Sequence, residues 1–230
     1  KPSNAVKSLN NLSGSWVSRE ILALAVYSIS LLCILVLLWK NGYVEYLNYL
    51  LALSSVFGLV FLWVMIQIYI IPTIPPWNSW YTALSFITTT ICLGLITILF
   101  LRYIGFVDTA CITCSAQFIE GHTVRNILIS LTLILLTEIV SALHHQSQLQ
   151  KMNTGMDGLV LDKGSFYRVF LIRMIMLILA LLTLFVVLLK PALLPENDYF
   201  SWIYPLLVLL FAQELTGRLL FYSSYFRIGV

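Results

Sequence analysis

Six apolar stretches, each about as long as a bilayer core is thick, occupy most of this 230-residue chain. A helix needs roughly 20 mainly apolar residues to cross that core. The stretches run over 21–39, 48–71, 80–101, 124–144, 170–189 and 200–222. Backbone groups in lipid must pair within their own segment, and these runs are too long and too unalternating for barrel strands. The expected fold is therefore all-α. It is a single polytopic membrane domain over 1–230, with six spanning helices behind a polar stretch at 1–20. Composition excludes a soluble enzyme domain. Charged residues make up only 10% of the chain, against about 25% in soluble domains.

Lys1–Glu20 lacks an apolar signal-peptide core, and the first residue is Lys rather than Met. The expectation is a chain that starts inside a longer protein. Alternate loops fall on two faces of the membrane. The face of Lys1–Glu20 also holds the proline-rich turn 72–79, the loop 145–167 and the C-terminus. It carries nine Lys and Arg residues against four on the other face. By the positive-inside rule that bias points to the cytoplasm. Pro72, Pro75 and Pro76 force the turn out of helix, and Trp77, Trp80 and Tyr81 supply an interfacial aromatic cluster.

Ionisable groups in hydrocarbon are costly and usually functional. Here they gather towards that same face. Arg19 and Glu20 open the first span, Gln67 and Tyr69 close the second, and Glu138 and His144 stand near the end of the fourth. Arg173 lies a turn or so into the fifth, and Glu214 and Arg218 near the end of the sixth. Glu138 and Glu214 would sit roughly 9–12 Å from their helix ends. Glu214 and Arg218 are four apart and can pair. Together with Glu138 and Arg173 they balance to zero charge, as a half-buried network requires. Structural ion pairs between helices would produce the same pattern. So would a secondary transporter, although such proteins place their charges near the midplane on broken helices. A lipid-soluble quinol needs an apolar slot, hydrogen-bond partners for two oxygens and acceptors for its protons. This polar end supplies all three.

Metal and haem readings are weaker. Cys33 and Cys92 fall inside spans and read as buried apolar filler. Cys111 and Cys114 form a C-x-x-C without a second ligand pair, His122 being the one candidate third ligand. Two axial haem histidines must face one another across a bundle. Adjacent His144 and His145 point about 100° apart on a helix, and His122 belongs to the opposite face.

Three segments resemble the membrane anchor subunit of dimethyl sulfoxide reductase. They are Lys7–Leu22 (KSLNNLSGSWVSREIL), Trp63–Trp80 (WVMIQIYIIPTIPPWNSW) and Ala212–Val230 (AQELTGRLLFYSSYFRIGV), spaced through the chain in the family's order. The resemblance implies eight spanning helices in the family, of which these would be the last six. It also implies a menaquinol-oxidising subunit of anaerobic respiration in the bacterial inner (cytoplasmic) membrane, with no haem or metal of its own. Its partners would be an iron–sulfur electron-transfer subunit and a molybdopterin catalytic subunit. The family's histidine upstream of the SLN segment would fall before Lys1. Glu20 matches the family's acidic residue at the helix mouth, and Arg173, Glu214 and Arg218 match recurring polar positions. Glu20 is then expected to accept quinol protons. Arg173 and Arg218 are expected to hold a quinone oxygen or the carboxylates, and Trp77 and Trp80 to cap the site. Arg19, Gln67, Tyr69, Glu138 and His144 complete the expected quinol-binding set. The family orientation puts the polar face in the periplasm, against the charge count. Contact with the partner subunit gives the basic residues there another explanation. A purely structural anchor is the remaining alternative.

Overall fold

A computed structural model describes residues 12, 14–39, 44–104, 121–154, 163–189 and 202–224. The Cys111–Cys114 pair and residues 40–43, 105–120, 155–162 and 190–201 lie outside the described residues, as does most of Lys7–Leu22 before Trp16. Six helices account for nearly all that is described: α1 (Trp16–Trp39), α2 (Val44–Tyr69), α3 (Trp80–Tyr103), α4 (Gly121–Thr154), α5 (Lys163–Leu189) and α6 (Ile203–Ser223). Each is long and apolar enough to cross a membrane, and there is no strand among the described residues. The all-α reading therefore holds.

Helix ends differ from the apolar limits for identifiable reasons. The second span is expected to reach residue 71, but α2 stops at Tyr69. Ile71 precedes Pro72, whose ring disfavours helical geometry in the residue before it. The fourth span is expected to end at His144, yet α4 continues ten residues further. Its 34 residues make it about 51 Å long at 1.5 Å per residue, well beyond a bilayer core. The extension is anchored by Leu149, which is buried. Pro205 sits in the first turn of α6, where its missing N–H costs no hydrogen bond.

The chain forms two compact units, 1–73 and 74–230. The first is a hairpin of α1 and α2. Its helices are tied by a hydrogen bond from Ser30 Oγ to Ser54 Oγ of 3.1 Å and by stacking of Tyr27 on Phe61. Gly58 lets the Tyr27 ring approach closely. Small residues at the crossing allow the close backbone contact that apolar helices in lipid depend on.

The second unit is a four-helix ring. Helix α3 packs on α4 and α6, and α5 packs on the same two. Buried positions recur at alternating steps of three and four. In α5 they are Phe170, Arg173, Leu177, Ala180, Leu184 and Val187; in α6, Ile203, Leu206, Leu210 and Gln213; in α4, Leu131, Leu135, Glu138 and Ala142. This is the seam that antiparallel bundles bury. One half of the seam is apolar, built from Cys92, Ile96, Leu131, Leu135, Leu177, Leu184 and Leu210. The other half carries the polar side chains. Cys92 is buried filler as expected. Cys33 is not: it lies exposed on α1, because it points away from the Ser30–Ile34 stripe that meets α2.

Candidate functional site

The polar half of the bundle seam has two levels. Nearer the helix ends is a small cavity lined by Tyr81 of α3, His145 and Gln146 of α4, Phe170 and Arg173 of α5, and Gly217 of α6, among others. About 20 Å³ of it is open to the centre of a water molecule, enough for one water and no more. One turn deeper lie Glu138, Gln213 and Glu214, all buried.

Arg173 forms the floor of the cavity. It is buried, and its Nη1 donates to the Tyr81 hydroxyl at 3.1 Å. The guanidinium lies flat against Gly217, where an added Cβ would come within 2.9 Å of Cζ. Only glycine at this place on α6 leaves room for it. Its Nε has no hydrogen-bond partner among the described residues. Above Tyr81, the His145 ring stacks at 4.0 Å between centroids and 8° between planes.

The deeper level is a chain of side-chain bonds. Gln213 Nε2 donates to Glu138 Oε2 at 3.2 Å and to Glu214 Oε1 at 2.8 Å. Thr89 Oγ1 lies 2.7 Å from Glu214 Oε2 and also 2.7 Å from the Ser85 carbonyl oxygen. One amide group thus bridges two carboxylates on different helices. The carboxylate oxygens can be no further apart than those two legs placed end to end. Two full negative charges at that range would repel by about 3 kcal/mol at an effective dielectric of about 20.

The structure places the expected site residues unevenly. Glu138, Glu214 and Arg173 come together in the bundle seam. Arg218 does not pair with Glu214. Its guanidinium sits over the Phe86 ring at 4.0 Å, while the Glu214 oxygens are taken by Thr89 and Gln213. Spacing by four brings two residues to one helix face, but here the aromatic face of α3 takes the cation instead. The zero-charge quartet therefore reduces to two acids and one arginine. Trp77 stacks on Phe221 at 5.0 Å and donates Nε1–H to the Phe221 carbonyl at 3.0 Å. It thereby fastens the proline turn to α6, beside a residue that lines the cavity. His144 is exposed, with Trp80 beside it at 5.5 Å; its neighbour His145 is the histidine at the cavity.

Arg19, Glu20, Gln67 and Tyr69 belong to the hairpin unit, all at one end of it. Arg19 Nε donates to the Leu12 carbonyl at 2.8 Å, and its guanidinium lies over Trp16. Glu20, Gln67 and Tyr69 are half-buried.

Sequence reasoning missed Gln213, Tyr81, Thr89, His145 and Gly217. The three-and-four spacing would have found most of them. Gln213 and Gly217 continue the line of Leu206 and Leu210, and His145 continues that of Glu138 and Ala142. Among the described residues no group of three or more His, Cys, Asp or Glu side chains gathers as a metal site requires.

Residues 1–224 match the family model described as DMSO reductase anchor subunit (DmsC). No curated protein sequence and no solved structure matches the chain.

Proposed function

Because this chain belongs to the DMSO reductase anchor subunit family, we propose that it is the quinol-oxidising subunit of a DMSO reductase-type complex. Family membership makes it a membrane anchor subunit of such a complex, and its six span-capable helices make it a multi-pass membrane protein. Beyond that, our reading is that it oxidises menaquinol in the bacterial cytoplasmic membrane during anaerobic respiration. Electrons leave to an iron–sulfur subunit and from there to a molybdopterin catalytic subunit.

The observation that carries this reading is the meeting of a cavity with buried acids at one end of the bundle. The cavity has room for a water, not a ring, so a quinol head would dock against its lining with one hydroxyl directed inward. Tyr81 and Arg173, joined at 3.1 Å, present donors to a quinone oxygen. Arg173 Nε is buried and has no hydrogen-bond partner among the described residues, a costly state unless a ligand or water completes it. Glu138 and Glu214 lie within one turn as proton acceptors. Oxidation releases two electrons and two protons from the quinol. The electrons pass one at a time to the partner's clusters, and the protons pass to bases in this chain.

The test uses the intact complex in its membrane. Tyr81→Phe removes one hydroxyl and keeps the ring that His145 stacks on. Quinol-dependent reductase activity is expected to fall at least about tenfold, or 1.4 kcal/mol in the barrier. Activity with an artificial soluble donor is expected to stay unchanged. Equal loss of both would mean that the chain acts as a structural anchor.

A further inference from the structure

We propose that Glu138 and Glu214, both held by the Gln213 amide, share one exchangeable proton, and that this pair is an internal proton acceptor of the bundle. Its role in quinol oxidation rests on the function proposed above; the shared proton itself does not.

The inference starts from charge. Two acids and one arginine are buried in one seam, and Arg218 is engaged with Phe86 instead of Glu214. With both acids ionised, the buried set carries an uncompensated negative charge, which a low-dielectric interior does not hold. One proton restores balance.

Hydrogen bonding points the same way. Glu138 Oε1 and Gln213 Oε1 are both shut off from solvent and have no donor among the described residues. An ionised carboxylate needs donors on both oxygens. A protonated one brings its own donor and needs only an acceptor, and Gln213 Oε1 belongs to the amide already bonded to Glu138. On the Glu214 side, the Thr89 hydroxyl has one hydrogen and two acceptors at 2.7 Å. When the proton is on Glu214, its O–H donates to Thr89, which then donates to Ser85. When the proton is on Glu138, Thr89 turns to Glu214. On Glu138 the proton satisfies an oxygen that otherwise has no donor among the described residues, and on Glu214 it is met by Thr89; in either state Gln213 Nε2 donates to both acids.

Access comes from the level above. The cavity, large enough for one water, reaches Arg173 and Gly217, a turn from Gln213 and Glu214. The charged or titratable groups acting on the pair are Cys92 from α3 and Arg173 from α5; Tyr81 from α3 and His145 from α4 line the cavity at Arg173. Arg218 lies one turn along α6 from Glu214.

Infrared difference spectroscopy of the full complex in membranes tests this without quinol. A protonated carboxyl gives a C=O stretching band that shifts in D₂O. We expect one such band, lost in Glu138→Gln and equally lost in Glu214→Gln, because a single carboxylate then balances the Arg173 charge. Loss in only one variant would assign the proton to a single residue and overturn the sharing. Absence of the band from the unsubstituted complex would overturn the site altogether. Thr89→Val keeps both acids and covers the case in which a glutamine variant does not assemble. The band should persist but move, since a partner of Glu214 is gone, and an unmoved band counts against the arrangement. Adding quinol then separates the two proposals. A band that is present and responds to the D₂O and Thr89 tests, in a complex with no quinol-dependent activity, refutes the function and leaves the proton pair standing.

Discussion

Gly217 and Gly94 make a pair of opposite expectations from one substitution. A Cβ at Gly217 would meet the Arg173 guanidinium at 2.9–3.0 Å, whereas a Cβ at Gly94 meets nothing within 4 Å. Gly217→Ala must therefore displace a buried guanidinium that is held against Tyr81. The expected cost is about 1–3 kcal/mol, read as a lower unfolding temperature of the complex in detergent. Gly94→Ala should be neutral or stabilise by up to about 1 kcal/mol, since alanine favours helix over glycine. Equal effects at the two positions would mean that the Arg173 packing is not as described. The acids and Arg173 were legible in the sequence because ionisable residues inside apolar runs stand out. Gln213 and Tyr81 were not. An uncharged amide and an interfacial tyrosine are common in membrane helices, and only their place in the seam marks them. Arg218 was legible as a charge but not in its partner, because spacing on one helix says nothing about which ring the next helix presents.

At the scale of the helix, the spans were readable because hydropathy reports what lipid demands of a segment. Their ends were less so. Polar residues after His144 stay helical because Leu149 is drawn into the bundle with Phe166 and Phe170, a tertiary contact absent from any local window. The same seam sorts α5 into two faces. Leu177 is wholly buried and Leu179 is exposed. Leu177→Ala should cost about 2 kcal/mol or more through the cavity it leaves. Leu179→Ala should stay within about 0.5 kcal/mol. Reversible unfolding in mixed detergent measures both, and the order of the two is the decisive result. In the hairpin, the Ser30–Ser54 bond offers a smaller quantity. A double-mutant cycle to alanine should return a coupling of about 0.6 kcal/mol, typical of interhelical bonds in membranes. A coupling near zero would mean that the hairpin is held by Tyr27, Gly58 and Phe61 alone.

For the molecule as a whole, anchoring and redox chemistry draw on different residues. Retention in the membrane draws on six apolar helices with many exposed apolar side chains. No single polar group at the bundle end contributes to it. Quinol chemistry, on the function proposed here, rests on Tyr81, Arg173 and two acids gathered in one half of the bundle seam. Arg173→Gln should therefore separate the two properties. Without the guanidinium the buried acids lose their counter-charge and a quinone oxygen loses its donor. The expected loss of quinol-driven activity is about 100-fold, the low end of what a positioned catalytic group contributes. The helix surfaces facing lipid are untouched, so artificial-donor activity should remain in the membrane fraction. Fractionation followed by both assays reads the result. Release of the artificial-donor activity into the soluble fraction would show that the buried arginine holds the bundle together, and that the charge in the seam serves assembly before it serves chemistry.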